Sequence, residues 1–434
     1  MTGPRLQSTD GTRYAWLVTG AAFVIMGATW GAQGSFGAFV NPLTDQMGWS
    51  RTEVSVAFSI LTIVNFTVGV LWGLAADRWG ARWIIATAGV IMSLGVFLTG
   101  TASAVWQLYL YYGFIAGIGL GGLVGPVSAI IARWFDRRRG LALSIAYAGL
   151  GSGTAGLPIL AEHLSSTYGW RAGFWGLSAV ILVTVLLSTI VFREPRRSAN
   201  SPGEPSGGDS APAKRTPAGG AHGALEPQPS VPLLTAVRSK TFWLMFGMEL
   251  CATMIFFMVL VHLAARAMDT GISSATSVTL LTVIGLVNMV AQVVGGLLGD
   301  RFGPRRIFAG GMAVCTVAVV WLVFSSSLVT FYVFAAVFGL GTGVWSPQMP
   351  SMIARVFGTR HIAAIWGAVL VGAGVGGLIG PTLAGYVFDT TGSYDTAFTA
   401  GAAVCAVGVV LAIVLSDKPL LASQRQAGGA GVPQ

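Results

Sequence analysis

The chain has 434 residues, of which 54% are hydrophobic and 9% charged, with mean hydropathy +0.72 and formal charge +9. A soluble domain carries about 25% charged residues, so this composition excludes a water-exposed globule. The basic residues stand in short clusters between apolar runs rather than along one stripe, which also excludes a nucleic-acid-binding surface.

A membrane-spanning helix needs about 20 mostly apolar residues. Taken in chain order, such runs occupy 14–40, 54–76, 83–103, 106–132, 140–162 and 172–192, and then 241–265, 275–299, 307–327, 330–354, 362–388 and 396–416. The first is too long for the apolar core of a secretory signal, so no cleaved leader is predicted. Between the two sets lies a stretch rich in Pro, Gly and Ser, from Ser201 to Gly208 above all. Such a composition cannot bury a core. The expected organisation is an N-terminal six-helix bundle (1–192), a disordered cytoplasmic linker (193–240), a C-terminal six-helix bundle (241–417) and a cytoplasmic tail (418–434). Glycine fills 60 positions, which suits helices whose backbones approach closely in lipid. Cys251, Cys315 and Cys405 each fall inside an apolar run and read as small core residues.

Orientation follows from Lys and Arg placement. With both termini in the cytoplasm, all 25 basic residues except Arg51, Arg171 and Arg266 fall on the cytoplasmic side. A multi-pass protein of the cell membrane is expected. The two sets of helices also repeat: Gly73, Asp77, Arg78, Gly80 and Arg82 match Gly296, Asp300, Arg301, Gly303 and Arg305 at an offset of 223. Pro158 and Pro381 match at the same offset, as do Gly48 and Gly271. Parallel repeats of this kind are related by an axis along the membrane normal, with the solute site near mid-membrane between them.

At the Asp77-Arg78 and Asp300-Arg301 loops the chain resembles the major facilitator superfamily. The resemblance implies an all-α membrane protein of two six-helix bundles, twelve transmembrane helices in all, related by pseudo-two-fold symmetry. It also implies a cytoplasmic gate made by Asp77, Arg78, Arg82, Asp300, Arg301 and Arg305. Two further stretches, Gly34 to Phe39 with Gly48 to Arg51, and Trp134 to Ala142 leading into Gly149, resemble the monocarboxylate porter and oxalate–formate antiporter group. That group typically anchors a carboxylate on an Arg in helix 8. Here neither 275–299 nor 362–388 holds an Arg or Lys.

Among residues that carry chemistry, Glu249 is the one acid deep in a span, where the repeat places Met26 in the other half. An intramembrane carboxylate is costly and is a functional candidate by default. His262, near the far end of the same helix, is the second proton-coupling candidate. In the resembling fold helices 1, 4, 7 and 10 line the cavity and 2, 5, 8 and 11 flank it. This implies Trp30, Gln33, Tyr112, Tyr147, Asn288, Gln292, Trp345, Gln348 and Trp366 as substrate-binding candidates. Glycine runs such as Gly117 to Gly122 lack the Lys-Ser/Thr of a phosphate loop, and no metal-ligand cluster or catalytic triad stands out. The expectation is therefore no enzyme, no cofactor and no metal, but a monomeric secondary transporter in the lipid bilayer. Its partners are a small-molecule substrate and protons. A small organic acid with proton symport is the leading reading. Export of lipophilic or cationic compounds is the alternative, and a non-transporting receptor the least favoured.

Overall fold

The computed structural model describes residues 9–135, 139–192, 231–358 and 361–416. Every regular element in it is helical. In the first half these are α1 (Thr9–Gly34, prolonged by a turn at Ser35–Phe39 and the helix Val40–Met47), α2 (Arg51–Trp79) and α3 (Ala81–Thr99). They are followed by α4 (residues 105–134), α5 (Arg139–Tyr168) and α6 (Trp170–Val191). The second half holds α7 (Lys240–Asp269), α8 (Ser274–Phe302), α9 (Pro304–Val323), α10 (residues 328–357), α11 (Ile362–Thr391) and α12 (Asp395–Val414).

Among the described residues, eleven of these meet the length and apolarity needed to cross a membrane. The twelfth, α5, is 30 residues long, and its first turns include residues whose side chains lie outside the described set. Part of the expected linker is structured. The backbone N–H of Val231 donates to the Phe357 carbonyl at 2.9 Å, and Leu233–Val237 form a helical turn before Ser239 caps α7. Pro232 starts that turn, as its fixed φ allows. The remainder of the expected linker, 193–230, and the tail from 417 lie outside the described residues.

The internal repeat has a local physical expression. Six of the seven positive-φ glycines among the described residues pair at the same offset of 223: Gly48 with Gly271, Gly80 with Gly303, and Gly169 with Gly392, leaving Gly358 alone. Each ends a helix or turns the chain into the next one, a conformation that side chains with a Cβ resist. Ser50 and Ser273 cap α2 and α8 by accepting the N–H groups of Glu53 and Thr276.

Packing within each half rests on missing side chains. A Cβ on Gly149 or Gly153 of α5 would meet the carbonyl oxygens of Phe23 or Gly27 of α1 at 2.2 or 1.9 Å. At the matching positions of the second half, Gly372 and Gly376 of α11 face the carbonyls of Phe246 and Leu250 of α7 at 2.8 and 2.4 Å. The pairs α1/α5 and α7/α11 thus touch backbone to backbone. Other glycines of the same helices face across the halves. Gly151 lies against Gly285 of α8, and Gly374 against Ile63 and Phe66 of α2. Two seams therefore join the halves, α2 with α11 and α5 with α8.

Overfilling a tight core contact costs about 1–3 kcal/mol. Gly153→Ala should accordingly lower the apparent melting temperature of the purified protein by several degrees. Gly156→Ala, on the same helix but facing open space, should leave it unchanged; intrinsic fluorescence on heating reads both.

Candidate functional site

Two groups of polar side chains stand out, one inside the helices and one at the end of the molecule where α2 begins and α7 ends. At that end Arg51, 8% exposed, is held almost entirely by the other half. Its two terminal nitrogens donate to Asp269 Oδ2 and Oδ1, both at 2.7 Å, and Nη1 donates to Tyr394 Oη, also at 2.7 Å. The guanidinium lies 3.7 Å from the Phe388 ring centroid. Bidentate pairing with an aromatic face beneath is the arrangement a guanidinium is suited to and an ammonium is not. The backbone N–H groups of Arg51 and Thr52 donate to Asp389 at 3.1 and 2.8 Å, so a carboxylate of one half closes the N-terminus of a helix of the other.

The hydrogens in this cluster can be assigned by elimination. Tyr394 Oη accepts from Arg51, so its own proton points to His262 Nδ1, 3.0 Å away. Burial holds the phenol well above its ordinary titration range, so that proton stays in place. His262 Nδ1 is then an acceptor and Nε2 carries the hydrogen. Nε2 lies 2.9 Å from the Pro381 carbonyl and 3.1 Å from Ser55 Oγ. Ser55 donates its own proton to the Arg51 carbonyl at 2.6 Å. Every group is satisfied with a neutral, Nε2-protonated imidazole. Further contacts extend the seal: Ser59 Oγ to Thr382 Oγ1 at 2.8 Å, Asn41 to Met268 Sδ at 3.8 Å, and Thr282 to the Ala155 carbonyl at 2.7 Å. Arg266 pairs with Asp395 at 2.9 Å inside its own half.

Sequence reasoning did not find this cluster, although the signal was present. Arg51 and Arg266 are two of the three basic residues standing against the charge bias, and each has an acidic partner. His262, read as a coupling candidate near the far end of its helix, sits in this cluster, seven residues from the end of α7.

Inside the helices, Glu249 is 4% exposed, its Oε2 lacks any hydrogen-bond partner, and it lies nine residues into α7, about 14 Å at 1.5 Å per residue. On α1 both amide atoms of Gln33 and the indole nitrogen of Trp30 are buried without partners. The glycines Gly27 and Gly31 pin α1 to α5, and helical periodicity puts Gln33 on the far side of α1 and Trp30 on its flank. Tyr112 belongs to a π-helical stretch, Tyr109–Ala116, a geometry that often accompanies function. Its ring stacks on Phe36 at 4.6 Å, and its hydroxyl is buried and unpartnered.

The polar groups of Tyr147, Asn288, Gln292 and Gln348 are spoken for by neighbours. Tyr147 meets Ser128 at 3.1 Å; Asn288 donates to Thr342 at 2.9 Å and accepts from Gln292 at 2.8 Å. Gln348 donates to the carbonyls of Gly295 and Val344, both at 2.9 Å, bracing α8 against α10. Trp345 packs on Phe308 and Gly311 of α9, with its indole nitrogen unpartnered. Trp366 of α11 is half-buried against the core. A shallow apolar groove of about 450 Å³ between α2 and α11, lined by Thr52, Val56, Leu378 and Tyr386, touches none of these side chains.

At the opposite end, Arg78, Asp300 and Arg301 are exposed, and the guanidiniums of Arg78 and Arg82 lie near Trp79 and Trp83 at 5.8 and 5.5 Å. Arg305 donates to the Leu415 carbonyl, joining α9 to α12 within one half. Asp77 lies near the end of α2; its side chain is outside the described residues.

Two six-helix bundles meeting along two seams, sealed at one end by an ion pair between halves and holding unpartnered polar groups within, define a membrane carrier. The family model of the Major Facilitator Superfamily matches residues 18–289 and 261–433, and the chain belongs to that superfamily: it is a membrane transporter and not an enzyme. It is 26% identical over 410 residues to monocarboxylate transporter 2 of Homo sapiens, covering 92% of this chain and 85% of that one. It is 29% identical over 406 residues to monocarboxylate transporter 3 of Rattus norvegicus, covering 92% and 79%. Among solved structures, a bacterial homologue of the human lysosomal transporter Spinster, inward-facing and unoccupied, superposes with a TM-score of 0.68 at 17% identity, covering 97% of this chain and 99% of that one. The nucleoside transporter NupG gives 0.69 at 12% identity, covering 92% and 99%.

Removing one partner of a buried ion pair costs about 3–5 kcal/mol, and the quarter exposure of Asp269 reduces this to ~1–2 kcal/mol. In a Ser59→Cys reporter, Asp269→Asn should therefore raise the rate of modification by a polar thiol reagent about tenfold. Tyr394→Phe should raise it several-fold.

Proposed function

We propose that this transporter works by alternating access and moves a small, monocarboxylate-like organic acid together with a proton. In this reading the Arg51 end is the outer face, both termini are cytoplasmic, and the protein is a monomer of the cell membrane. Residues 1–192 and 241–417 are the two rocking bundles. The Arg51 assembly then closes the outer side. The cytoplasmic residues Asp77, Arg78, Arg82, Asp300, Arg301 and Arg305 form the opposite gate, latched when the inner side closes.

The observation that carries the reading is Glu249. A carboxylic acid buried at depth, with one oxygen lacking any partner, is costly as a bare anion and inexpensive as a proton carrier. Trp30, Gln33 and Tyr112 offer N–H, amide and hydroxyl groups from the first half, all unsatisfied. Buried polar groups without partners are exceptional, and a carboxylate solute would satisfy these. They stand in for the missing helix 8 arginine, since indole, amide and phenol donors bind an anion without a fixed charge. The names of the curated relatives agree with this substrate class. Glu249 itself favours a second reading, export of a lipophilic cation, because an interior acid without an interior base attracts positive charge.

The decisive measurement is uptake of labelled lactate or pyruvate into proteoliposomes with an imposed pH gradient. Native protein should concentrate the acid when the outside is acidic. Glu249→Gln should lose at least about 90% of gradient-driven uptake while retaining solute exchange at equal pH. Wild-type rate and pH dependence in Glu249→Gln would remove the coupling assignment, and efflux of a fluorescent cation lost in the same variant would establish the alternative.

A further inference from the structure

Proton coupling through Glu249 leaves the most elaborate polar cluster in the molecule without a task beyond closure. We propose that the chain Arg51–Tyr394–His262 is a proton-operated latch: the sealed Arg51 end requires a neutral His262, and a proton on its Nδ1 belongs to the open form. This rests on the alternating-access reading but not on Glu249.

The geometry supplies the reason. Tyr394 Oη accepts from Arg51 at 2.7 Å and donates to His262 Nδ1 at 3.0 Å, so the one lone pair of the imidazole is the terminus of a directed chain that starts on the guanidinium. Protonating Nδ1 turns that terminus into a second donor aimed at Tyr394. The phenol proton then loses its acceptor, and a buried donor without a partner is destabilising. A second cation also appears in a fully buried position next to Arg51. The groups facing His262 from every packed element are few. They are Arg51 and Ser55 from α2, Asp269 from the end of α7, Pro381 and Asp389 from α11, and Tyr394 from the turn before α12.

Neither acid is free to receive the new charge. Asp269 is occupied by both terminal nitrogens of Arg51, and Asp389 by the backbone of Arg51 and Thr52. Separation of α2 from α7 and α11 lets water reach the ring and satisfies an imidazolium there.

The sign and size follow from linkage. A hydrated imidazole titrates near pH 6.5. If the open form binds the proton and the sealed form does not, the open-to-sealed ratio is multiplied by about 1.1 at pH 7.5 and about 30 at pH 5.0. The sealed form is at full weight above pH 6.5 and is lost as the pH falls. An acidic exterior thereby recruits the carrier to the state that faces it.

The test uses the full chain in lipid nanodiscs with spin labels at Gln46→Cys and Ser273→Cys, exposed positions on opposite halves at the Arg51 end. The three native cysteines are buried and stay in place. Double electron–electron resonance should show the longer-distance population gaining roughly 30-fold on the shorter one between pH 7.5 and pH 5.0. The pH series is read in a Glu249→Gln background, which removes the coupling acid and separates this latch from that assignment; there the response should persist. Adding His262→Gln, which keeps one donor and one acceptor but cannot titrate, should abolish it. Tyr394→Phe should raise the longer-distance population already at pH 7.5. Two distance populations that ignore pH in the Glu249→Gln background, or a pH response surviving there with His262→Gln, would overturn the latch alone. Absence of a second population even in Asp269→Asn would overturn alternating access and the latch with it.

Discussion

A guanidinium at the edge of a low-dielectric interior has to be satisfied completely or not placed there at all. The Arg51 guanidinium meets that demand with Asp269 at the end of α7, Tyr394 in the turn before α12 and the Phe388 ring near the end of α11, while its backbone N–H donates to Asp389. No arrangement of the two bundles other than contact at this end supplies Asp269, Tyr394 and Asp389 together. The relative placement of the halves, the burial of His262 and the closure of the α2/α11 seam all depend on that one side chain being paired.

The frame around it was legible in the sequence because hydropathy in a membrane is a strong constraint. Twelve apolar runs became twelve long helices, with ends moved by a few residues where caps such as Ser50 and Ser273 decide them. The offset of 223 located paired loops, and in three dimensions it pairs the positive-φ glycines and the backbone contacts of α5 and α11 as well. The length of a spanning run, however, carries no information on internal hydrogen-bond pattern. Nothing in Tyr109–Ala116 announced a π segment, whose backbone at Tyr111 and Ala116 lies against Gly95 of α3.

The candidate site was legible only in part, for a different reason. Residue type and helical position cannot tell an amide reserved for solute from one that braces two helices. Gln33 and Gln348 are chemically the same; the first is unpartnered and the second bonded twice to backbone carbonyls. Asn288 accepts from Gln292 and donates to Thr342. The Arg51 cluster was hidden because its partners are separated by more than 200 residues in sequence, and helical periodicity is silent at that range. The bias of basic charge was the usable clue: an arginine on the sparsely charged side calls for a partner.

The glycines of α5 and α11 bear on how a solute leaves. Gly151 and Gly374 bring the two halves so close along both seams that hardly more than backbone separates them at that level. In the sealed form both seams are closed at that level, so in the proposed cycle a solute held between the bundles meets helix rather than acyl chain on those two sides. The missing side chains thus act as the walls of a duct.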